Sequence, residues 1–138
     1  MSILKAVVYA NPRECFGLKI PLRVQVHYAK MFCENHNIPF SLPTTEDWFG
    51  KSYNKLSEIL QNDPSHLIVF SELFLCENKC YEFLCEYNKK RKKMIQICTS
   101  YESKIYTLDN IIIFIESFNR SKKLKMKLSE LYSKFNSK

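Results

Sequence analysis

The sequence predicts an α/β fold: a single domain with a mostly parallel four-stranded sheet, helices on both faces and a C-terminal amphipathic helix. Three observations predict it. Short apolar runs of strand length alternate with stretches whose apolar residues recur every three or four positions, as in βαβ units. A chain of 138 residues is enough for one sizeable core and too short for two. With only 2 glycines and 5 prolines, and 46% hydrophobic residues, it is neither a disordered nor a linker-rich chain.

The elements follow in order. Ile3 to Ala10 is a near-continuous apolar run stopped by Asn11-Pro12, the pattern of a strand buried on both faces. Pro21 stands where the first helical residue belongs, and Leu22, Val26, Ala29 and Cys33 recur at helical spacing until Asn35 to Asn37 end the run. A second strand is expected at Ile38 to Leu42, then a helix from about Lys51 with Tyr53, Leu56, Ile59 and Leu60 inward. His66 to Phe70 reads as the third strand. Cys80, Phe83, Leu84 and Tyr87 mark the next helix, which Lys89 to Lys93 end in keeping with the helix dipole. Met94 to Cys98 is the fourth strand. Beyond it, Leu108, Ile111, Ile115 and Phe118 form one stripe and Leu124, Leu128, Leu131 and Phe135 another, which makes two helices or one long helix with a slip near Asn119. The expected division is an α/β domain over 1–119 and a basic amphipathic helix over 120–138. The second stripe either pairs with another chain, giving a homodimer, or folds back over a sheet edge.

Charge is unevenly spread. Residues 1–88 carry 8 basic side chains against 10 acidic, and residues 89–138 carry 13 against 4, within a net charge of +7. Such a half is either the solvated back of helices or a surface for a phosphate-bearing partner. The six cysteines have no Cys-x-x-Cys pair, so free thiols are expected, with Cys33, Cys80 and Cys98 in the core and no metal site. Neither a signal peptide nor an apolar run long enough to span a membrane is found, which points to the cytoplasm and away from a membrane.

Ligands of open parallel sheets bind beyond the carboxyl ends of the strands. The segments there are polar: Asn11, Arg13 and Glu14; Thr44 to Asp47; Ser71 and Glu72; Thr99 to Glu102. Carboxylates gathered at such a rim can divide acid and base roles, and an arginine can hold an anionic group. These segments form the candidate site, and no cofactor is expected. No glycine-rich phosphate loop and no Gly-x-Ser-x-Gly elbow is present.

Two resemblances add to this reading. Val8-Tyr9-Ala10 in the first strand, Gln25 on the first helix and a long final helix resemble the catalytic domain of serine recombinases, the resolvases and invertases. In that family an Arg-x-Ser segment after the first strand carries the nucleophile and an arginine pair follows the third strand. The corresponding segments here read Asn11-Pro12-Arg13 and Ser71-Glu72-Leu73-Phe74-Leu75, which implies the fold without active recombinase chemistry. Tyr9, Pro12, Gly17, Pro21, Val24-Gln25, Phe32-Cys33, Thr45-Glu46, Tyr53, Leu56, Ile68-Val69, Ser71, Phe74-Leu75 and Glu102 are also similar to a small family encoded in bacterial surface-carbohydrate clusters. In its first loop this chain has Asn11-Pro12-Arg13 for that family's Ser-Arg-Pro, and two extra residues precede Gly17. That likeness implies a protein that binds a sugar or nucleotide sugar at the rim or, as a sugar-modifying enzyme, processes it; the matching polar residues that converge there make Glu46 and Glu102 the candidate catalytic residues and Asn11, Arg13, Gln25, Tyr53 and Ser71 the candidate ligand contacts. The alternative is a nucleic-acid-binding module with a degenerate recombinase fold, using the basic C-terminal half.

Overall fold

A computed structural model of the chain describes residues 5–15, 19–46, 53–90 and 94–136. Ile3, Leu4, Gly17, Asp47, Lys51 and Arg91 to Lys93, named above, lie outside the described residues, as does the side chain of Phe135. The elements are β1 (Ala6–Ala10), α1 (Leu22–Asn35), β2 (Thr44–Thr45), α2 (Asn54–Gln61), β3 (His66–Val69), a 3-10 turn (Glu72–Leu75), α3 (Asn78–Lys90), β4 (Gln96–Thr99), β5 (Lys104–Thr107) and α4 (Leu108–Asn136). The sheet order is β2-β1-β3-β4-β5.

The α/β architecture stands, with two corrections. The sheet has five strands, because Lys104–Thr107 pairs antiparallel with β4, Thr99 opposite Lys104 and Gln96 opposite Thr107. The four residues between β4 and β5 are too few for a crossover, so only a hairpin can form, and Ser103 takes a positive φ of 58° to close it. The second strand is Thr44–Thr45, not Ile38 to Leu42: Tyr9 and Ala10 pair with Thr44 and Thr45. Ile38 and Phe40 pack against the core under α1 instead.

Strand alternation divides the core. Tyr9, Leu67, Val69 and Ile97 face α2, α3 and the first half of α4, where Leu56, Leu84, Ile111 and Ile115 are buried with them. Val8, Ile68 and Cys98 face Ala29, Phe32 and Cys33 of α1. A third cluster, Cys15, Phe70 and Phe74, closes the carboxyl end of the sheet. Cys33, Cys80 and Cys98 are buried as the spacing predicts.

α4 is one continuous helix, about 43 Å long at 1.5 Å per residue, and it passes through Asn119 and the expected 119/120 division unbroken. Leu108, Ile111, Ile112 and Ile115 anchor it. Tyr81, in the first turn of α3, donates a hydrogen bond to Glu116 at 3.0 Å, which fixes α4 where it passes the carboxyl end of the sheet. Beyond that point every described residue from Arg120 to Leu131 is exposed, so the leucine stripe does not fold back on the domain.

Candidate functional site

Each candidate residue lies at the carboxyl end of the sheet, and the hydrogen bonds say what most of them do there. Gln25 is buried one turn into α1. Its amide nitrogen donates to the carbonyl oxygens of Asn11 at 2.7 Å and Ile20 at 2.9 Å, and its oxygen accepts from the Asn11 amide at 2.9 Å. One side chain thereby satisfies both backbone groups of Asn11 and closes the β1–α1 loop. Asn11 in turn accepts from the Arg13 amide through Oδ1 at 2.9 Å, an Asx turn that aims the Arg13 side chain. The Arg13 guanidinium lies 4.6 Å from the centre of the Tyr53 ring, a cation–π contact.

Glu46 is buried beside this pair. It accepts from the Tyr9 hydroxyl at 2.9 Å and from the amides of Lys55 and Leu56 at 3.2 Å each. Those amides open α2, which has no cap from its own preceding residue, so Glu46 supplies the cap and its charge sits at the positive end of the helix dipole. Burial is the largest cause that pushes the Tyr9 and Tyr53 phenols above their ordinary range.

Glu102 does the same work two strands further along. It accepts from the Ser71 hydroxyl at 2.8 Å and the Glu72 amide at 2.9 Å, while Ser71 Oγ accepts from the Leu73 amide at 3.2 Å, which together cap the 3-10 turn after β3. Glu72 accepts from the Tyr106 hydroxyl, and Lys104 Nζ lies 3.8 Å from the same carboxylate. The rim therefore splits into a group around Arg13, Glu46 and Tyr53 and another around Ser71, Glu72 and Glu102. Glu46 is held at the start of α2 and Glu102 at the turn after β3, so each carboxylate serves its own backbone cap.

A concavity lies elsewhere, between the start of α3 and the middle of α4. It is an open groove of about 600 Å³ lined by Asn78, Tyr81, Glu116, Asn119, Arg120, Lys122 and Lys123. Sequence reasoning placed these cations on a basic helix but not beside α3, because the contact joins residues some forty apart. From Arg120 to Lys138 the chain has seven basic residues against one acidic, Glu130. Among the described residues no group of three His, Cys, Asp or Glu side chains could hold a metal ion, and no helix is long and apolar enough to cross a membrane.

Sequence reasoning also missed an aromatic cluster at the same rim. The Phe70 ring lies 5.4 Å from Tyr28, 5.4 Å from Tyr101 and 5.8 Å from Phe74. Its members come from α1, the end of β3, the 3-10 turn and the β4–β5 turn, so no local spacing announces it.

No family model matches the chain, and no curated protein matches it at a significant level. Among solved structures, the N-terminal catalytic domain of TP901-1 integrase is similar over 86% of this chain and 96% of that one, with a TM-score of 0.57 and 14% sequence identity. At that identity the likeness concerns the fold, and it agrees with the resolvase-like arrangement of a mostly parallel sheet, flanking helices and a long C-terminal helix.

Proposed function

We propose that the chain is a nucleic-acid-binding module on a resolvase-like fold, and that α4 beyond Asn119 is its principal contact. The observation that carries this reading is a helical arm, exposed from Arg120 to Leu131 over about 18 Å, whose cations leave the domain at the carboxyl end of the sheet. Lysines and arginines held along one rigid helix match the spacing of phosphates and release counterions on binding. The fold shared with an integrase catalytic domain supports the same partner class. Binding without strand cleavage is the expected mode, since Asn11-Pro12-Arg13 and Ser71-Glu72 stand in place of the recombinase nucleophile and arginine pair.

The leucines at 124, 128 and 131, exposed at 59%, 56% and 51%, form a stripe on this arm. A second copy of the chain is proposed to cover it, because an isologous pairing would bury the stripe and present two basic faces. The sugar reading draws less support: Asn11, Gln25, Glu46 and Ser71 already spend their polar groups on capping and loop closure.

Binding of single-stranded and duplex oligonucleotides, followed by anisotropy from 20 mM salt upward, tests the proposal. A steep loss of affinity with salt is expected, and no binding at the lowest salt would overturn it.

A further inference from the structure

We infer that the groove between α3 and α4 is a binding site for a phosphate ester, in which Arg120 and Lys123 hold the phosphate and Asn78 and Asn119 meet the organic part. The inference stands on the groove's own walls and goes beyond the nucleic-acid reading of the arm.

The groove follows from how two helices of unequal length lie together. α4 runs antiparallel to α3: Asn88, near the end of α3, donates to Asp109 in the first turn of α4 at 3.1 Å, and Tyr81 at the start of α3 donates to Glu116 at 3.0 Å. Ile112, Glu116, Asn119 and Lys123 recur at spacings of four, three and four, so they share one face of α4. At Ile112 that face is apolar and buried in one cluster with Leu84 and Tyr87 of α3. It turns polar and basic where α4 runs past Asn78, the first residue of α3. There α3 walls one side only, which leaves the open concavity of about 600 Å³.

The lining selects the ligand. Arg120, Lys122 and Lys123 stand against one carboxylate, Glu116, which already accepts from the Tyr81 hydroxyl. An anion is therefore favoured. A phosphate suits the site better than a carboxylate, since its oxygens and its greater charge engage an arginine fork and an ammonium at once. Arg120 is oriented by Ser117, one turn back, whose Oγ accepts from Nη2 at 3.3 Å. Among the described residues Tyr81 is the only ring in the lining and no aliphatic side chain joins it, so an acyl chain has no surface to lie on. Among the same residues the side chains of Asn78, Asn119 and Lys123 have no hydrogen-bond partner within the chain, unlike the polar groups of the rim, which cap helices and close loops. Two carboxamides offer donors and acceptors to hydroxyl groups. The volume leaves room for a sugar on the phosphate, within the range of about 300–1,000 Å³ typical of small-molecule sites. Two sources carry that chemistry: a small sugar phosphate, and the backbone of a strand held by the arm.

The experiment titrates the isotope-labelled chain with ribose 5-phosphate, the unit common to both sources, and follows the amide signals of Asn78, Tyr81, Asn119 and Lys123 by NMR. Saturable shifts are expected with ribose 5-phosphate, and not with ribose or with sodium chloride at equal ionic strength. Arg120→Gln combined with Lys123→Gln, both exposed positions, should weaken binding about tenfold or more with circular dichroism unchanged. Lys89→Gln combined with Lys90→Gln removes the same charge at the far end of α3 and should stay within about twofold. An oligothymidylate added afterwards identifies the source: displacement of ribose 5-phosphate assigns the groove to a strand, and simultaneous binding assigns it to a small sugar phosphate. No saturable shift, shifts matched by sodium chloride, or binding indifferent to the Arg120 and Lys123 changes overturns the site. The nucleic-acid reading survives that failure, because Lys125 and Lys127 lie outside the groove. An oligothymidylate that does not bind at all counts against that reading and leaves the groove to the small ligand.

Discussion

Replacing Glu46 separates a structural carboxylate from a chemical one. In Glu46→Ala the Tyr9 hydroxyl loses its acceptor in a site closed to water, Tyr9 being 2% exposed, and the Lys55 and Leu56 amides lose the cap of α2. A lost helix cap costs about 0.5–2 kcal/mol, and a buried hydroxyl left without a partner about 1–3 kcal/mol. The vacated volume adds to both, so a loss of about 3–5 kcal/mol is expected. For a domain of this size that lowers Tm by roughly 10–20 °C. Glu46→Gln keeps one acceptor oxygen but turns an amide toward a donor, and should cost about 1–2 kcal/mol. Urea unfolding of both variants, with Tyr9→Phe to complete a double-mutant cycle, measures these terms. A coupling of at least about 1 kcal/mol between positions 9 and 46 is expected. Glu46→Ala within about 1 kcal/mol of wild type would refute the capping role and return Glu46 to the list of groups free for chemistry.

Three further outcomes follow from the same geometry. Leu128→Asp should leave the unfolding free energy of the isolated chain within about 0.5 kcal/mol, because Leu128 touches water and not the core, and should reduce any dimer mass in light scattering to that of a monomer; a larger loss of stability would mean that the arm docks on the domain. Burial pushes the Cys15 thiol up to about 11 and those of Cys76 and Cys98 up to about 12. The folded state therefore holds these protons longer than the unfolded chain: their contribution is complete below pH 9 and falls as pH rises from there through 11 to 12, so urea midpoints at pH 8 and 10.5 should differ, and equal midpoints would contradict the burial. Cys85, the one cysteine not fully buried, should react first with a thiol reagent at pH 8, ahead of the five buried ones.

The elements legible in the sequence are those whose apolar residues point into the core. β1, β3 and β4 read as apolar runs because helices cover both faces of the sheet, and α1 to α3 read from their buried stripes. β5 was illegible for the opposite reason. It is an edge strand with only Tyr106 half-buried, so Lys104-Ile105-Tyr106-Thr107 has no continuous run to announce it. β2 escaped because two residues suffice once β1 provides the template, whereas the more apolar Ile38 and Phe40 serve the α1 side of the core.

The rim was legible as a place and not as a set of roles. Glu46 and Glu102 stand where catalytic carboxylates would stand, yet their partners are helix and turn amides contributed by Lys55, Leu56 and Glu72, and nothing in the order of residues tells a capping carboxylate from a reacting one. Gln25 similarly reads as a ligand contact until its amide is seen to complete the backbone of Asn11. Conversely, the ring cluster of Tyr28, Phe70 and Tyr101 left no trace in the order of residues, because its members come from α1, the end of β3 and the β4–β5 turn.

The salt dependence of oligonucleotide binding tests the central claim most directly. If about five of the arm's cations neutralise phosphates of a single strand, the logarithm of affinity should fall against the logarithm of salt with a slope of about −3.5. Replacing Lys122, Lys123, Lys125 and Lys127 by glutamine should reduce that slope by roughly 2 to 3 while the fold is unchanged. A slope near zero, or a slope that survives the fourfold replacement, would contradict the account.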